Sequence, residues 1–480
     1  MAAAVAALVT ALTLTSGAYG YHRDELYFRM LEPDWGYLDQ PPLTPLVVQA
    51  MGRLVADEVW AVRIPATVAA AAVVLVLVLL TRELSGGRPA QALCAWGAAF
   101  ASIPLVFGHV ALTSSFDLVV WPAVVLFVVR ALLRADPRWW PAAGLVAGLG
   151  TYNKLLVVVL LAGIAVGLLA VGPRGVLLSP WVLGSCVLML VVALPNLVYQ
   201  ATHGWPQLEM GAALAASNAA EVRGSMWWFL LVLLGPPLVP VWVAGGVALL
   251  RRPQWRPVRM LVPAFAVVLL QTLVGGTQPY YPVGLLVVLF AAGCVPVADA
   301  VARSPRWRRP AVVGLVALNT VVSAVIALPL LPVGVLGDTP VPDLNQVARD
   351  QVGWPAYVGQ VADVHRGLTA ADAARAVVIA TNYGEAGAVA RYGPALGLPA
   401  VYSGHNALHD QAQPPVDAQV VVVVGDQLDT ARRLFAECEV MARLDNGVGV
   451  DNEEEGQPVS VCRGPTDTWD VLWPAFRHLD

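Results

Sequence analysis

The length and composition of the chain place it among integral membrane proteins. It has 480 residues, of which 58% are hydrophobic and only 13% are charged, a balance typical of chains with many apolar segments that cross a bilayer. The formal net charge of -4 at pH 7 divides unevenly, since residues 1–336 hold 20 basic and 13 acidic side chains and residues 337–480 hold 9 and 20. The acidic balance of the C-terminal part argues against nucleic-acid binding, which requires a basic face.

Apolar segments predict about eleven transmembrane helices, because a span needs about 20 apolar residues to cross roughly 30 Å of hydrocarbon. They lie at approximately 2–20, 61–81, 90–108, 118–133, 141–150, 154–171, 177–199, 226–250, 258–275, 281–298 and 311–332. Two short segments are expected around 151–154 because Thr-Tyr-Asn-Lys interrupts the apolar run there. The first segment is interpreted as a span, and a cleaved signal peptide is the alternative.

Arginines in alternate connections predict the orientation of the spans. By the positive-inside rule, the arginine-rich connections face the cytoplasm. The fourteen arginines concerned are Arg82, Arg88, Arg130, Arg134, Arg138, Arg174, Arg251, Arg252, Arg256, Arg259, Arg303, Arg306, Arg308 and Arg309. The connections near 109–117 and 275–280 contain no Arg or Lys. We therefore expect these connections, residues 21–59, the turn at 151–154, the loop 200–224 and the C-terminal tail on the outer face of a plasma-membrane protein.

The segment Tyr21–Pro45 is the main polar interruption in the apolar part of the chain, with the sequence YHRDELYFRMLEPDWGYLDQPPLTP. Its charges exclude it from hydrocarbon, so we predict an outer loop or a surface helix that carries the chemistry. Asp24 and Glu25 form a carboxylate pair that can act as a general base or bind a cation; a charge pair at a helix N-terminus is the alternative. Pro41 and Pro42 must stop or bend any helix that precedes them.

Asp117 and Lys154 are ionisable residues at the outer ends of apolar segments. A charged side chain within an apolar bundle costs about 2.5–3.5 kcal/mol on insertion scales, so it is expected to be paired or functional. Lys154 is the single lysine of the chain, and a lipid phosphate is the anionic partner that we expect for it; a snorkelling lysine at a helix end is the alternative. Arg23 and His203 are further outward-facing cations that could help to neutralise a phosphate.

Aromatic residues flank the predicted outer loops, for example Trp35, Trp205 and the Pro-Tyr-Tyr-Pro motif that holds Tyr280 and Tyr281. An aromatic belt at the membrane interface accounts for such residues. A cleft that binds sugar and prenyl groups is the alternative, since aromatic faces stack on sugar rings.

The C-terminal part has the pattern of a small soluble α/β domain. The Pro- and Gly-rich linker Pro329–Pro342 precedes it, and we predict a membrane domain at 1–336, with its first outer loop at 21–60, and a soluble domain at 337–480. Buried strands are expected at Ala376–Ala380 and Val420–Val424, a third, short strand at Val401–Ser403, and helices at Glu385–Leu396 and Asp429–Glu437.

Two cysteines of this acidic part, Cys438 and Cys462, are expected to form a disulfide, because an outer location is oxidising; two free thiols are the alternative. The acidic run Glu453–Glu455 is interpreted as a solvated loop and not as a metal site. The sequence has no CxxC spacing, which argues against a structural zinc site.

Several motifs together resemble glycosyltransferase family 39, the GT-C group that contains protein O-mannosyltransferases and lipid A aminoarabinose transferases. The resemblance covers the membrane part, most specifically residues 20–160, and the tail resembles that of actinobacterial members. Its motifs are Asp24-Glu25, Gly36-Tyr-Leu-Asp-Gln-Pro-Pro-Leu43, Asp117, GLGTYNK at 148–154, HGWP at 203–206 and Pro-Tyr-Tyr-Pro at 279–282.

The resemblance implies an inverting enzyme that moves a sugar from a polyprenyl-phosphate carrier to an acceptor hydroxyl of a protein, lipid or polysaccharide outside the membrane. By similarity, Asp24 is the general base, Glu25 orients it or the acceptor, and Asp117 completes the acidic site. Lys154, with Arg23 or His203, would stabilise the departing phosphate. The cavity wall is implied to consist of Asp39, Pro41, Pro42, Tyr280 and Tyr281.

One departure from the family bears on the donor sugar. Gln40 stands where the aminoarabinose transferases have a lysine, so the expected sugar is mannose or another hexose or pentose and not aminoarabinose. No cofactor is indicated and no metal ligand set is found, although divalent metal use varies among GT-C enzymes and so stays open.

The rival interpretations are a transporter or flippase of lipid-linked sugars and a non-enzymatic scaffold. A transporter would be expected to show an internal repeat and charges at mid-membrane, whereas the charges here cluster towards one face. A scaffold does not account for Asp24, Asp117 and Lys154 at one predicted depth.

Overall fold

The computed structural model describes residues 1–479 and consists of two compact units. The first comprises Met1–Ser16, Gln40–Thr44 and Arg63–Leu328. The second comprises Gly17–Asp39, Pro45–Val62 and the chain from Pro329 onward. This division differs from the expected boundary at 336, and most of the first outer loop belongs with the C-terminal part.

The first unit is helical throughout its length. Each predicted span corresponds to a helix or to a pair of helices, so the hydropathy pattern located these elements well. The helices are Ala2–Thr15, Ile64–Glu83, Arg88–Ala99, Ser102–His109, Thr113–Leu133, Trp139–Gly150, Val157–Val171, Pro180–Thr202, Pro206–Val232, Val239–Arg251, Leu261–Gly275, Val283–Ala302 and Arg308–Ala327, with 3-10 turns at Arg174–Leu178, Pro236–Leu238 and Pro253–Val258.

The number of spans differs from the expected eleven. Within residues 1–479, six helices are long and apolar enough to cross a membrane, or eight if each of two bent pairs counts as one span. The pair Arg88–Ala99 and Ser102–His109 bends by 57°, and the pair Pro206–Val232 and Pro236–Arg251 bends by 72°. Ala2–Thr15 and Val157–Val171 are shorter apolar helices. The chain is therefore a multi-pass membrane protein.

The sharper bend has a local cause. Gly235 takes a φ of 97°, a conformation that is easy for glycine alone. Pro236 and Pro237 follow it, and neither has a backbone N–H with which to continue the helix. The apolar run that was predicted as one span at 226–250 is broken at this point.

The helices of the first unit approach one another closely at glycines. A Cβ on Gly245 would lie 1.9 Å from the carbonyl oxygen of Leu289, and one on Gly293 would lie 1.8 Å from that of Val241. The helices Val239–Arg251 and Val283–Ala302 can therefore pack with their backbones in contact, as small residues allow in membranes.

The second unit contains a five-stranded sheet. Its strands are β1 (Ala376–Ala380), β2 (Val401–Ser403), β3 (Val420–Val424), β4 (Phe435–Arg443) and β5 (Pro458–Pro465), in the order β2-β1-β3-β5-β4. β1 pairs in parallel with β2 and β3, and β5 is antiparallel to β3 and β4. The three strands predicted from the sequence are present, and β4 begins inside the stretch that was predicted as a helix up to Glu437.

Short helices complete the second unit and cover the sheet. Trp469, Trp473 and Phe476 pack with residues of β1 and β3 in one buried cluster. A disulfide joins Cys438 to Cys462, which are partners in the β4–β5 register. The helices are Arg23–Met30, Leu43–Leu54, Val59–Val62, Val333–Leu336, Val341–Leu344, Gln346–Arg349, Trp354–Arg366, Ala370–Ala373, Tyr383–Tyr392, Leu408–Gln411, Leu428–Leu434 and Trp469–Leu472, with 3-10 turns at Pro394–Leu396 and Trp473–Phe476.

Candidate active site

A cavity in the first unit brings together four of the residues that the sequence singled out. It holds about 290 Å³ of empty space. Acidic, basic and aromatic side chains share its lining with apolar ones. The lining residues are Phe107, Ser114, Asp117, Leu118, Trp121, Lys154, Leu156, Tyr280, Tyr281, Val283 and Gly284.

Asp117 is held by its neighbour across the bundle, Asn153. The amide of Asn153 donates hydrogen bonds of 2.8 Å to Oδ1 of Asp117 and to the carbonyl of Thr113. The hydroxyl of Thr44 donates a bond of 2.7 Å to Oδ1 of Asn153. Asn153 has no exposed surface, so this network fixes the carboxylate of Asp117 near the N-terminal end of its helix, Thr113–Leu133.

Lys154 carries the positive charge of the cavity. Its Nζ lies 4.9 Å from the ring centroid of Tyr281 and 5.8 Å from that of Tyr280. Both distances suit a cation–π interaction. The opposite charge of Asp117 lies near enough to attract it. The arrangement presents a cation, an acid and two aromatic faces to one space.

The predicted proline wall lies beside this network. Pro41 and Pro42 are buried, and the N–H of Leu43 donates a hydrogen bond of 2.8 Å to the carbonyl of Tyr152. The TYNK turn and the Pro-Pro turn are thus joined through their backbones.

His203 is not among the residues that line the cavity. It is exposed, caps the end of the helix Pro180–Thr202, and stacks on Tyr199 at a ring distance of 4.0 Å. The expectation of a phosphate contact at this residue rested on its charge and its predicted side of the membrane, and the structure gives it a helix-end position instead.

In the second unit, Asp24 lies in the first turn of the helix Arg23–Met30. Its side chain is 29% exposed, which leaves a carboxylate that solvent or a substrate can reach. Its Oδ1 accepts a hydrogen bond of 3.0 Å from the hydroxyl of Tyr383. A partly exposed carboxylate with one fixed donor is a suitable general base.

Glu25 serves the fold at this position. Its side chain is fully buried and accepts a hydrogen bond of 2.9 Å from the backbone N–H of His22. The N–H of Asp24 in turn donates to Nδ1 of His22. These reciprocal bonds form a capping box, which corresponds to the helix N-terminal alternative and not to an acid that faces a substrate.

Arg23 is ion-paired within the second unit. It is 7% exposed, forms a salt bridge with Glu453, and lies 3.9 Å from Glu454. Glu454 is buried and accepts a hydrogen bond from Asn382. The acidic run is therefore not the solvated loop that the sequence indicated, because two of its carboxylates neutralise Arg23.

Asp39 lies at the end of the loop segment of this unit. Its Oδ1 accepts a hydrogen bond of 3.0 Å from Tyr27. Burial raises the pKa of Asp39 to about 7, the bond from Tyr27 opposes that rise, and the charge of Asp24 adds to it. Asp39 therefore changes its protonation near neutral pH.

Other polar residues of the tail have structural partners. Asn382 caps the helix Tyr383–Tyr392, with Glu385 completing a second capping box. Burial, followed by the charge of Glu454, raises the pKa of Glu385 well above its ordinary value. Nδ1 of His405 accepts from the N–H of Tyr383.

Across residues 1–479, no group of three or more His, Cys, Asp and Glu side chains is arranged to hold a metal ion.

Sequence reasoning missed the residues that hold these acids. Tyr383 and Tyr27 donate to Asp24 and Asp39, and Asn153 donates to Asp117. Asn153 stands beside Lys154 in the TYNK motif, so its position was visible in the sequence although its role was not. Nothing local marks Tyr383 as the partner of a residue far away in the chain.

Comparisons with known proteins agree with this architecture. Residues 39–199 match the family model described as dolichyl-phosphate-mannose-protein mannosyltransferase. Two crystal structures of ArnT from Cupriavidus metallidurans, one bound to undecaprenyl phosphate and one in the apo state, match with TM-scores of 0.65 and 0.64 at 17% and 16% identity. Each match covers 96% of this chain and 97% of ArnT. No curated protein sequence matches the chain.

These matches confirm the resemblance that the motifs indicated. The family model covers about a third of the chain, including the Pro-Pro turn, Asp117 and the TYNK motif. The fold of the whole chain is that of ArnT, a GT-C fold.

Proposed function

We propose that the chain is an inverting membrane glycosyltransferase that moves a sugar from a polyprenyl-phosphate carrier to an acceptor hydroxyl outside the membrane. The observation that carries the proposal is the cavity in which Lys154 lies over Tyr281 beside Asp117. The fold is shared with ArnT, and one ArnT structure holds undecaprenyl phosphate.

Lys154 is the residue that we assign to the donor phosphate. An ammonium group at a helix boundary can bind a phosphate monoanion or dianion, and it would stabilise the negative charge that develops on the phosphate as the sugar leaves. Tyr280 and Tyr281 supply aromatic faces for the sugar or the first prenyl units. Asp117, fixed by Asn153, completes the acidic side of the cavity and would hydrogen-bond sugar hydroxyls.

Asp24 is the residue that we assign as general base. Its carboxylate takes the proton of the acceptor hydroxyl as that oxygen attacks the anomeric carbon of the sugar. The bond from this carbon to the phosphate oxygen breaks, and polyprenyl phosphate leaves with the bonding electrons. A single displacement of this kind inverts the anomeric centre.

The supporting roles that we propose follow from the contacts of Arg23 and Glu25. Arg23 is neutralised by Glu453 and Glu454 and so supports the helix that carries Asp24, as Glu25 does through the capping box. Neither Arg23 nor His203 lines the cavity that holds Lys154, so the donor phosphate is assigned to Lys154. Asp39 is proposed to lie beside the acceptor path, where its charge depends on pH near neutrality.

The outer location of this chemistry is supported by the distribution of arginines. By the positive-inside rule, the fourteen arginines of the alternate connections favour an extracytoplasmic position for the opposite connections. Because Gln40 replaces the lysine of the aminoarabinose transferases, we propose a hexose or pentose such as mannose as the sugar.

The experiment compares cell-envelope glycans and glycoproteins by mass spectrometry in strains with and without the gene. Wild-type protein should restore the modification that the deletion removes, and Asp24→Asn should not, although it inserts into the membrane normally. Asp34→Asn is the matched control, since Asp34 is an exposed acid on the same loop. Full restoration by Asp24→Asn would refute the assignment of the base, and identical envelopes in both strains would refute the transferase.

A further inference from the structure

A tyrosine from the C-terminal part of the chain contacts the proposed base. The hydroxyl of Tyr383 donates a hydrogen bond of 3.0 Å to Oδ1 of Asp24, a residue 359 positions earlier in the sequence. Both residues belong to the second unit. Neither the arginine pattern nor the motifs of the membrane part predict this hydrogen bond.

The ring of Tyr383 is held on several sides, so its hydroxyl has a fixed position. Its centroid lies 4.7 Å from that of Tyr27 and 4.8 Å from that of His405. The guanidinium of Arg23 lies 5.0 Å above the ring. Burial, and then the charge of Asp24, raises the pKa of Tyr383 well above its ordinary value. The phenol therefore keeps its proton at neutral pH and is the donor in its bond with the carboxylate of Asp24.

The two helices that carry this pair meet at glycines. A Cβ on Gly384 would lie 2.9 Å from Cβ of Arg23, and one on Gly387 would lie 2.7 Å from the carbonyl carbon of Leu26. Gly384 and Gly387 are one turn apart and face the helix Arg23–Met30. This close approach sets the distance between Tyr383 and Asp24.

We propose that Tyr383 is a positioning residue that orients the carboxylate of Asp24 and favours its ionised form. The inference rests on the proposed function of Asp24 as the base. It gives the acidic tail a role in the reaction that its sequence does not reveal.

The physical consequence is a shift in the proton affinity of Asp24. Besides Tyr383, Asp24 faces Nδ1 of His22 at 3.8 Å and feels the charge of Asp39, and Tyr383→Phe leaves both of these groups in place. A hydrogen bond donated to a carboxylate stabilises its ionised form. Without that bond the carboxylate binds a proton at higher pH and turns more freely. Loss of this one hydrogen bond is expected to raise the pH at which the carboxylate binds its proton by about one unit, or about tenfold in the ionisation constant.

The test uses the full-length protein purified in detergent. Lipid extract from cells that carry the gene supplies the donor, and envelope material from the deletion strain supplies the acceptor. Tyr383→Phe keeps the ring and removes the hydroxyl. We expect kcat to fall about tenfold, KM for the donor lipid to stay within about twofold, and the acid limb of the pH profile to move up by about one unit.

Two further variants sharpen the result. Tyr392→Phe makes the same change at the last residue of the same helix, where the ring lies beside Arg391, and should leave the profile unchanged. Site-specific 3-fluorotyrosine at 383 keeps the packing and makes the hydroxyl a stronger donor, so the acid limb should move to lower pH. A profile for Tyr383→Phe that superposes on that of Tyr392→Phe would overturn the inference.

An infrared titration separates this inference from the proposed function. All proteins carry Asp39→Asn, because Asp39 feels the charge of Asp24 and would add its own signal. In that background, the difference spectrum between each protein and its Asp24→Asn counterpart isolates the carboxylate band of Asp24, with no substrate needed. A higher midpoint in Tyr383→Phe than in Tyr392→Phe supports the positioning role. An equal midpoint overturns it, even where Asp24→Asn abolishes transfer and the transferase itself stands.

Discussion

The amide of Asn153 donates a hydrogen bond of 2.8 Å to the carboxylate of Asp117, the acid that lines the cavity with Lys154. The same amide bonds the carbonyl of Thr113, and its oxygen accepts from Thr44. Three segments of the first unit thus meet at one side chain, adjacent in sequence to the proposed phosphate ligand. Asn153 therefore holds the segments beside the cavity together and also fixes the position of the Asp117 carboxylate.

Replacement of Asn153 by alanine should lower both stability and activity. Buried partners left without a hydrogen bond cost about 1–3 kcal/mol, and an unrestrained Asp117 should reduce transfer at least about tenfold. The measurements are thermal unfolding in detergent and the initial rate of sugar transfer per mole of folded protein.

Asn319 offers a matched control for this prediction. It is also buried in the first unit, and its amide donates to the carbonyls of Phe100 and Leu234. Asn319→Ala should lose similar stability but retain its rate per folded molecule. If the two variants had the same rate, Asn153 would have only a structural role.

Removal of the charge of Lys154 should weaken donor binding and catalysis. Lys154→Gln keeps a polar side chain of similar reach, and loss of a charge-assisted bond to phosphate is expected to reduce kcat/KM about a hundredfold. Lys154→Arg should retain part of the rate. The measurement is transfer kinetics with the donor lipid varied.

His203 provides the contrast on the same predicted face. It lies outside the cavity lining and stacks on Tyr199, so His203→Gln should keep kcat/KM within about threefold of the wild-type value. An equal loss in His203→Gln and Lys154→Gln would contradict the assignment of the phosphate to the cavity.

Much of the fold was predictable because hydropathy is a local property. Apolar runs located the helices, two buried runs located β1 and β3, and a third short strand was predicted at β2. The break at Gly235 was less visible, because the apolar run continues on both sides of it. The count of long apolar helices therefore differs from the predicted number of spans where a helix bends or is short, as Ala2–Thr15 is.

The site was predictable only in part, for a physical reason. Charge in an apolar segment identified Asp117 and Lys154, since that cost must be compensated. Charge alone could not show that His203 lies outside the cavity lining. The pairing of Arg23 with Glu453 and Glu454 depends on a contact over more than 400 residues of sequence, and no periodic pattern reports such a contact.

Protonation of Asp39 should make stability depend on pH. Burial raises its pKa in the folded protein to about 7, from an ordinary value of 3.8. As pH rises between these values, the unfolded chain releases the proton first, so Asp39 lowers the stability of the fold progressively and fully above pH 7.

The variant Asp39→Asn isolates this contribution, because the amide oxygen can still accept from Tyr27. Relative to wild type, the free energy of unfolding of the variant should increase by at least about 1 kcal/mol as pH rises from 3.8 to about 7. Thermal unfolding across the pH range measures this difference, with Asp34→Asn as the exposed control. A difference that is constant with pH, or that shrinks as pH rises, would contradict the prediction.

The disulfide between Cys438 and Cys462 should form in cells and stabilise the second unit. The bridge closes a segment of 24 residues, and the chain-entropy model gives about 3 kcal/mol for such a loop. The double variant Cys438→Ala/Cys462→Ala should therefore become sensitive to proteolysis in the tail, whereas Cys186→Ala should not, since Cys186 is a free cysteine of the membrane unit.

Thiol counting tests the same bridge and the orientation together. The chain has five cysteines, so protein denatured without reductant should take up three maleimide groups, and five after reduction. Disulfides persist in oxidising compartments and are rare in the cytosol, so this result places the tail on the outer face. Five groups without reductant, in protein trapped by acid directly from cells, would place the tail in a reducing compartment and reverse the orientation inferred from the arginines.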